Sequence, residues 1–348
     1  MERRERQARF VNPGPVDPSV LRLQTRHVSQ NIWNGDVQDR NLEPRRCTFE
    51  HVNNGNPPPA LVPYLMRAGF YGVSRLVPFE FESPLISALL ERWRPETHTF
   101  HMSHGECTIT LQDVSILLGL PCDGMPVIGK TKDNYRRWCR ELLGVTPGAG
   151  DMTGQRVTMK WLTDTFGQIP PNATEEQLER CTRAYILRLI GAWLICDKSA
   201  KDVQLMYLPF LQDIDRIGAY CWGGAVLAFL FREMCNCTNA NQKEISGCVS
   251  LLLMWAWERF PRIAPQIKDN PDPLLALNCP LLPLGRRYVF NCIYMVSFLL
   301  CFLIFNHNTY GGPRFVGGVE HIKRVGHQRW FCFFTANILM RWMIQTYV

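Results

Sequence analysis

The chain has 348 residues, of which 46% are hydrophobic and 20% are charged. This balance excludes an intrinsically disordered protein and provides enough apolar surface for one large domain or two ordinary ones. The net charge of +7 arises from scattered basic residues, which permit contact with acidic partners but lack the basic stripe of a DNA-binding face.

The first part of the chain, residues 1–59, is polar, rich in proline and asparagine, and only weakly periodic. Pro57, Pro58 and Pro59 predict a stiff linker at its end. No apolar signal-peptide core is seen near Met1, so we expect the protein in the cytosol or nucleus, where thiols stay reduced. Most of the 14 cysteines lie in apolar runs and are expected to act as small buried hydrophobic side chains.

From residue 60 onward, apolar residues recur with a helical period. Pro84 occupies a favourable first-turn position in a helix predicted to extend to Trp93, and Thr174 with Gln177 predicts a capping box before a long amphipathic helix. Two very apolar segments, beginning near Gly218 and Asn241, are typical of interior helices. The fold is therefore predicted to be mainly α, with a single large helical domain over residues 60–291.

A different pattern interrupts the helices near residues 99–110. Thr99–Met102 and Cys107–Thr110 are β-prone runs separated by turn-like residues, which predicts a small inserted β-hairpin. Thr110 and Asp113 then predict the capping box of the next helix, which Gly119 ends.

The block from Arg92 to Leu120 resembles the plant mobile domain, also labelled aminotransferase-like, of the MAINTENANCE OF MERISTEMS-like family. The resemblance extends over about residues 61–291. It implies a nuclear plant protein with roles in transcriptional regulation, transposable-element silencing and meristem maintenance. It also implies binding to chromatin or phosphatase-like proteins rather than catalysis. The candidate interaction motif consists of the matching positions Arg92, Trp93, Arg94, Pro95, Glu96, Thr97, His98, Phe100, Gly105, Glu106, Asp113 and Gly119.

The aminotransferase-like label does not predict a pyridoxal enzyme, because such an enzyme needs a Schiff-base lysine within an α/β fold. The sequence has no alternating strand–helix units, so we predict no cofactor. Within the motif, Arg92, Trp93 and Arg94 have two interpretations. They are either interface anchors, or a helix end in which solvated arginines flank a buried tryptophan.

An alternative function is suggested by Gly124–Thr131, which fits the phosphate-loop pattern G-x-x-x-x-G-K-T. A nucleotide-binding hydrolase would hold phosphate with Gly124, Gly129, Lys130 and Thr131. That motif requires a strand before Gly124, whereas the sequence predicts a helix there, and Pro126 removes one backbone donor. A simple connection between helices is the competing interpretation.

A metal site is suggested by His98, His101 and His104, which are spaced three residues apart. The β pattern, however, places His98 and His104 on one side of a strand and His101 on the other. A catalytic zinc site needs three convergent ligands, so we predict structural roles and no metal.

The last segment, residues 292–348, is apolar and diverges from the family pattern. The apolar run 288–305 reaches the ~18 residues that a membrane helix needs. Three interpretations are open: a buried helix, a single membrane helix that tethers the protein, or a tail that is not authentic coding sequence. A membrane-tethered family member is thus a second alternative function.

Overall fold

A computed structural model describes residues 17, 19–36, 40–45, 52–53, 55–102, 105–130, 133–199 and 201–265. All of them belong to one compact unit, Met1–Arg287. This part of the chain is mainly helical, which confirms the predicted fold class. The α-helices are Val28–Asn34, Val62–Arg67, Tyr71–Ser74, Ser83–Leu90, Leu111–Leu118, Tyr135–Trp138, Met159–Phe166, Glu175–Leu189, Trp222–Asn236 and Val249–Arg259. Shorter 3₁₀ segments are Gln24–Arg26, Pro59–Leu61, Leu205–Leu211, Ile214–Ala219 and Pro261–Ile263, and π-helical segments are Cys139–Leu143 and Ile190–Leu194.

Short strands form small sheets between the helices. The strands are β1 (Glu43–Pro44), β2 (Trp93–Arg94), β3 (Thr99–Met102), β4 (Gly105–Cys107), β5 (Met152–Thr153), β6 (Arg156–Thr158), β7 (Asp202–Gln204) and β8 (Glu244–Ile245). The predicted hairpin is present as β3–β4, but its second strand is Gly105–Cys107 and not the predicted Cys107–Thr110, because Gly105 and Glu106 pair with Met102 and His101. The strand β2 adds a third antiparallel strand to it. An antiparallel β5–β6–β7 sheet and a parallel β1–β8 pair were not predicted, because runs of two or three residues are too short to show a period of two.

The long helix Glu175–Leu189 lies at the centre of the core. Its predicted capping box is confirmed, because the Thr174 hydroxyl accepts from the Gln177 N–H at 3.3 Å and the Gln177 side chain accepts from the Thr174 N–H at 2.9 Å. Every residue from Cys181 to Leu189 is buried, including Arg183, whose guanidinium donates to the carbonyl oxygens of Leu211 and Gln212. The buried charge is tolerated because these carbonyls satisfy its donors and the Glu179 carboxylate, 2.7 Å away, pairs with it.

The helix predicted to begin near Asn241 begins instead at Val249. The prediction was wrong because Glu244 and Ile245 pair with the N-terminal strand β1, and Gly247 then turns the chain with a φ of +87°. From Val249 to Trp257 every residue is buried, as expected for an interior helix.

The described residues before residue 60 pack against the helical domain rather than forming a separate linker. Besides the β1–β8 pairing, the Leu42 N–H donates to the Ser87 hydroxyl at 2.8 Å, and Pro57 is buried. No structural break at residue 59 is seen in this described part.

The apolar run 288–305, the tail 292–348 and the boundary at residue 291 lie outside the described residues and stay predictions. Within the described ranges, none of the helices combines the length and the apolarity that crossing a membrane requires.

Candidate functional site

The candidate interaction motif is built around the sheet β2–β3–β4. Trp93 pairs with Phe100, which in turn pairs with Cys107, and the His101 N–H donates to the Arg92 carbonyl at 2.7 Å. The prediction that Trp93 lies on a helix was wrong, since the preceding helix ends at Leu90. Apolar spacing over so short a run does not distinguish a helix end from a strand, and the pairing with β3 decides for the strand.

The inner face of this sheet anchors the motif in the core. Trp93 and Phe100 are fully buried, with ring centroids 4.9 Å apart. The Trp93 ring lies 5.0 Å from Phe231, and its indole N–H donates to the sulfur of Cys235 at 3.3 Å. Phe100 stacks on Trp255 at 5.0 Å. The sheet is thereby joined to the two apolar helices Trp222–Asn236 and Val249–Arg259.

Arg94 is buried with only 2% of its surface exposed, and its guanidinium donates to the Gln24 side-chain oxygen at 2.6 Å. Burial lowers the pKa of Arg94. In the adjacent turn, the Glu96 carboxylate accepts from the Leu23 N–H at 2.8 Å. Arg94 is therefore not an interface anchor and not a solvated arginine, so neither interpretation of Arg92–Arg94 describes it. Trp93 is a core residue.

His27 is the second contact between the N-terminal segment and the motif. Its Nδ1 accepts from the Ser29 N–H at 3.1 Å, so the proton sits on Nε2, which donates to the Trp93 carbonyl at 2.7 Å. Burial lowers the pKa of His27 to about 4. The neutral imidazole is therefore the form that the fold accommodates.

This arrangement predicts acid sensitivity. Because the folded-state pKa of His27 is about 4 against a usual value of 6.5, the unfolded chain binds the proton more readily between these pH values. The stability contributed by neutral His27 is complete above about pH 7 and declines as the pH falls from 6.5 towards 4. We expect the protonation of His27 to lower the free energy of unfolding by about 2.5 kcal/mol between pH 7.5 and pH 4.5.

Urea denaturation at both pH values measures this loss. In a His27→Asn variant, asparagine still caps the helix but does not titrate, so the difference between the two pH values should shrink by about 2.5 kcal/mol. An unchanged pH dependence in the variant would show that His27 is not the responsible group. The exposed His98 provides a matched control through His98→Asn.

The outer side of the sheet carries a hydrogen-bonded polar surface, the hairpin face, defined as Thr97, Thr99, Glu106 and Thr108. The Thr97 and Thr99 hydroxyl oxygens are 2.6 Å apart, and Thr99 donates to the Glu106 carboxylate at 2.8 Å. The Thr108 hydroxyl donates to the carbonyl of His98 at 2.6 Å. These bonds hold solvent-accessible side chains in one arrangement without burying them.

Asp113 joins the motif to the last apolar helix. Its carboxylate accepts from the Thr110 N–H at 2.9 Å, which confirms the predicted capping box, and from the Arg259 guanidinium at 2.7 Å. Gly119 ends the helix Leu111–Leu118 with a φ of +67°, and a Cβ there would lie 3.2 Å from the Gly72 Cα. Both residues thus have structural roles.

The phosphate-loop-like segment does not have the structural context of a nucleotide site. The element before Gly124 is the helix Leu111–Leu118, as the sequence predicted, and not a strand. The Met125 N–H is already used by the Ala219 carbonyl at 2.9 Å, and the Lys130 carbonyl accepts from the Tyr135 hydroxyl. Gly129 packs on Met206, and Thr131 lies outside the described residues. The described part is an extended connection bound to its neighbours.

His98 and His101, the two suggested metal ligands that the structure describes, do not share one strand. His98 precedes β3 in a turn with a φ of +53° and packs against the rings of Trp93 and Phe231, so the alternation expected for it was wrong. His101 lies on β3, and His104 is outside the described residues. Among the residues that the structure describes, no cluster of three or more potential ligands is present.

Sequence reasoning missed Gln24, His27 and Arg259, which hold the motif from a distance. The only local signal is the His27-x-Ser29 pattern, in which a polar side chain caps a short helix. Gln24 and Arg259 carry no local signal, because their partners are 70 and 146 residues away in the chain.

The fold and the motif together define a helical domain with a small sheet whose polar face is exposed to solvent. Most of the remaining residues of the motif are buried or hydrogen-bonded and hold this sheet in place. Residues 69–285 match the profile of the plant mobile domain. The chain belongs to the plant mobile domain family.

Three curated relatives from Arabidopsis thaliana show how the domain is distributed. The chain is 43% identical over 80% of its length to the serine/threonine-protein phosphatase 7 long form homolog. It is 40% identical over 75% to Protein MAIN-LIKE 2, and 41% identical over 74% to Protein MAINTENANCE OF MERISTEMS. The matched region spans only 21%, 39% and 54% of these relatives, respectively. No solved structure is significantly similar to the chain.

Proposed function

We propose that this chain is a non-enzymatic protein-interaction module that acts in the plant nucleus and binds a chromatin or phosphatase-type protein. The name of the relative MAINTENANCE OF MERISTEMS supports a role in meristem maintenance. The family resemblance extends the proposal to transcriptional regulation and the silencing of transposable elements.

The observation that carries this proposal is the presence of the domain, at similar identity, in relatives of different names and different lengths. It makes up 21% of the phosphatase 7 long form homolog and 54% of MAINTENANCE OF MERISTEMS. A domain that recurs as part of larger proteins suits a binding module, and the phosphatase name supports a phosphatase-type partner.

The hairpin face is the proposed contact surface. Its hydroxyl and carboxylate groups are already ordered by mutual hydrogen bonds, and its sheet is anchored in the core through Trp93 and Phe100. A surface that is ordered before binding loses less conformational entropy when a partner docks.

The charge of this face favours a protein over a nucleic acid. Glu106 lies on the face, and Glu96 lies in the turn beside it, so the charges that the face itself and its turn present are negative although the whole chain is basic. The Arg94 guanidinium that interacts with both carboxylates is buried. Phosphate groups of DNA or RNA would be repelled there, whereas a protein segment with basic or hydrogen-bonding side chains would be complementary.

Proximity labelling in plant cells tests the proposal. In a Thr97→Arg/Glu106→Arg variant, we expect labelling of chromatin or phosphatase-type neighbours to fall at least about tenfold, because two like charges replace the complementary surface. The variant should remain folded, since both positions are exposed.

The matched control is Thr153→Arg/Asp164→Arg, which makes the same charge changes at exposed positions on a different sheet and helix. This control should keep the wild-type neighbours. Equal loss in both variants would reject the hairpin face, and wild-type labelling that recovers neither class of partner in the nucleus would reject the function.

A further inference from the structure

Two successive glycines stand in the first turn of the helix Trp222–Asn236, where glycine is an unfavourable residue. The reason is the position of two sulfur atoms. A Cβ on Gly223 would lie 2.3 Å from the sulfur of Cys122, and a Cβ on Gly224 would lie 2.7 Å from the sulfur of Cys221. The two thiols therefore occupy the space that the two glycines leave open.

Backbone hydrogen bonds bind the segment that contains Cys122 to the start of the helix that follows Cys221. The Gly223 N–H donates to the carbonyl of Pro121, which precedes Cys122, at 2.8 Å. The Cys221 N–H donates to the Met125 carbonyl at 2.8 Å, and Met125 and Tyr220 form a parallel bridge. Residues on both sides of Cys122 are thus tied to the start of the helix, close to Cys221.

Both cysteines are half-buried, unlike the fully buried Cys139 and Cys237. The pKa of Cys122 is raised to about 11, mainly by burial and secondly by the neighbouring Cys221 thiol. The influence of Cys221 on Cys122 agrees with the contact between their segments. The raised pKa keeps the Cys122 thiol protonated at neutral pH. It also makes Cys122 a poor first nucleophile at neutral pH, since the thiolate is the reactive form.

We propose that Cys122 and Cys221 are a redox-modification site, which forms a reversible disulfide when the protein meets a small disulfide oxidant such as oxidised glutathione. The Cys221 thiolate attacks the oxidant, forms a mixed disulfide and releases one glutathione thiolate. Cys122 then loses its proton and attacks the Cys221 sulfur of the mixed disulfide, which releases the second glutathione. Two electrons pass from the cysteines to the oxidant, and the two protons that the cysteines lose are taken up by the two glutathione thiolates that leave.

The disulfide would close a loop of about 100 residues and fix residues 121–125 to the helix start. A cross-link of this span restricts the unfolded chain, so the oxidised protein should unfold at a higher temperature, by about 5 °C. In a reducing compartment the pair rests as two thiols, and oxidation is the modified state.

The experiment treats the full-length chain with oxidised glutathione, digests it and identifies linked peptides by mass spectrometry. We expect a peptide containing Cys122 joined to one containing Cys221, lighter by two hydrogens than the separate peptides. Unfolding temperature, measured in parallel, should rise and return to its starting value with dithiothreitol.

Three variants sharpen the test. Cys122→Ser and Cys221→Ser should each abolish the temperature shift, whereas Cys107→Ser, at another half-buried position, should keep it. A different cysteine partner, glutathione adducts without the internal link, or a full shift in Cys122→Ser would overturn the proposal. Should a serine variant fail to fold, the peptide map of the wild-type chain decides alone.

Discussion

Replacing Trp93 with alanine is expected to lower the free energy of unfolding by about 4 kcal/mol, because a fully buried indole leaves a cavity that its neighbours fill only in part. The lost contacts are those with Phe100 and Phe231, at ring-centroid distances of 4.9 and 5.0 Å, and the indole hydrogen bond to Cys235. Together they join β2 to β3 and to the helix Trp222–Asn236. Urea denaturation followed by circular dichroism measures the change.

The control for this prediction is Trp138→Ala. Trp138 is half-buried, and its indole N–H donates to the Asp133 carboxylate at 3.2 Å at the surface. Its removal should cost about 1 kcal/mol, because less apolar area returns to water and the hydrogen bond is exposed. Similar losses for the two variants would show that Trp93 does not have the central packing role described here.

Replacing Gly124 with alanine should destabilise the fold by about 3 kcal/mol, with little dependence on any ligand. The residue has a φ of +92°, and a Cβ would lie only 2.1 Å from the Ala219 carbonyl oxygen. Since that oxygen is backbone and accepts from the Met125 N–H, the local chain must move to relieve the contact.

The Gly154→Ala variant separates the cost of a left-handed backbone from the cost of a steric clash with the added Cβ. Gly154 also has a positive φ, +61°, but nothing lies within 4 Å of the position that a Cβ would take there. Its replacement should cost only about 1 kcal/mol, the usual cost of a left-handed backbone for alanine. If Gly124→Ala instead kept its unfolding free energy but altered nucleotide binding, the phosphate-loop interpretation would regain support.

The geometry of the motif explains how one sequence block contributes both to the packed core and to an exposed polar surface. Trp93 and Phe100 lie on the inner face of the sheet and are buried in the core, whereas Thr99 and Glu106 lie on the opposite face. Arg94 is the register partner of Thr99 and lies on that opposite face too, where its contact with Gln24 buries it. Period-two alternation along β3 produces this division. Substitutions on the inner side should therefore act on stability, and substitutions on the hairpin face should act on partner binding.

The amino-acid sequence by itself determined the features that depend on neighbours a few residues apart. The capping boxes Thr110–Asp113 and Thr174–Gln177, the β3–β4 hairpin and the mainly helical class are of this kind. Each is read from residue type at a fixed short spacing, and these spacings retain their meaning in any tertiary context.

Only the tertiary structure decided where the motif's charged and aromatic residues lie. From sequence alone an arginine such as Arg94 is expected at the surface. It is buried here because the fold places a hydrogen-bond partner beside it, Gln24, which is 70 residues away in the chain. In the same way, β1 pairs with β8, which lies about 200 residues later in the chain, and His27 donates a hydrogen bond to the distant Trp93 carbonyl. Burial of polar groups depends on these distant hydrogen bonds, which leave no periodic trace in the sequence.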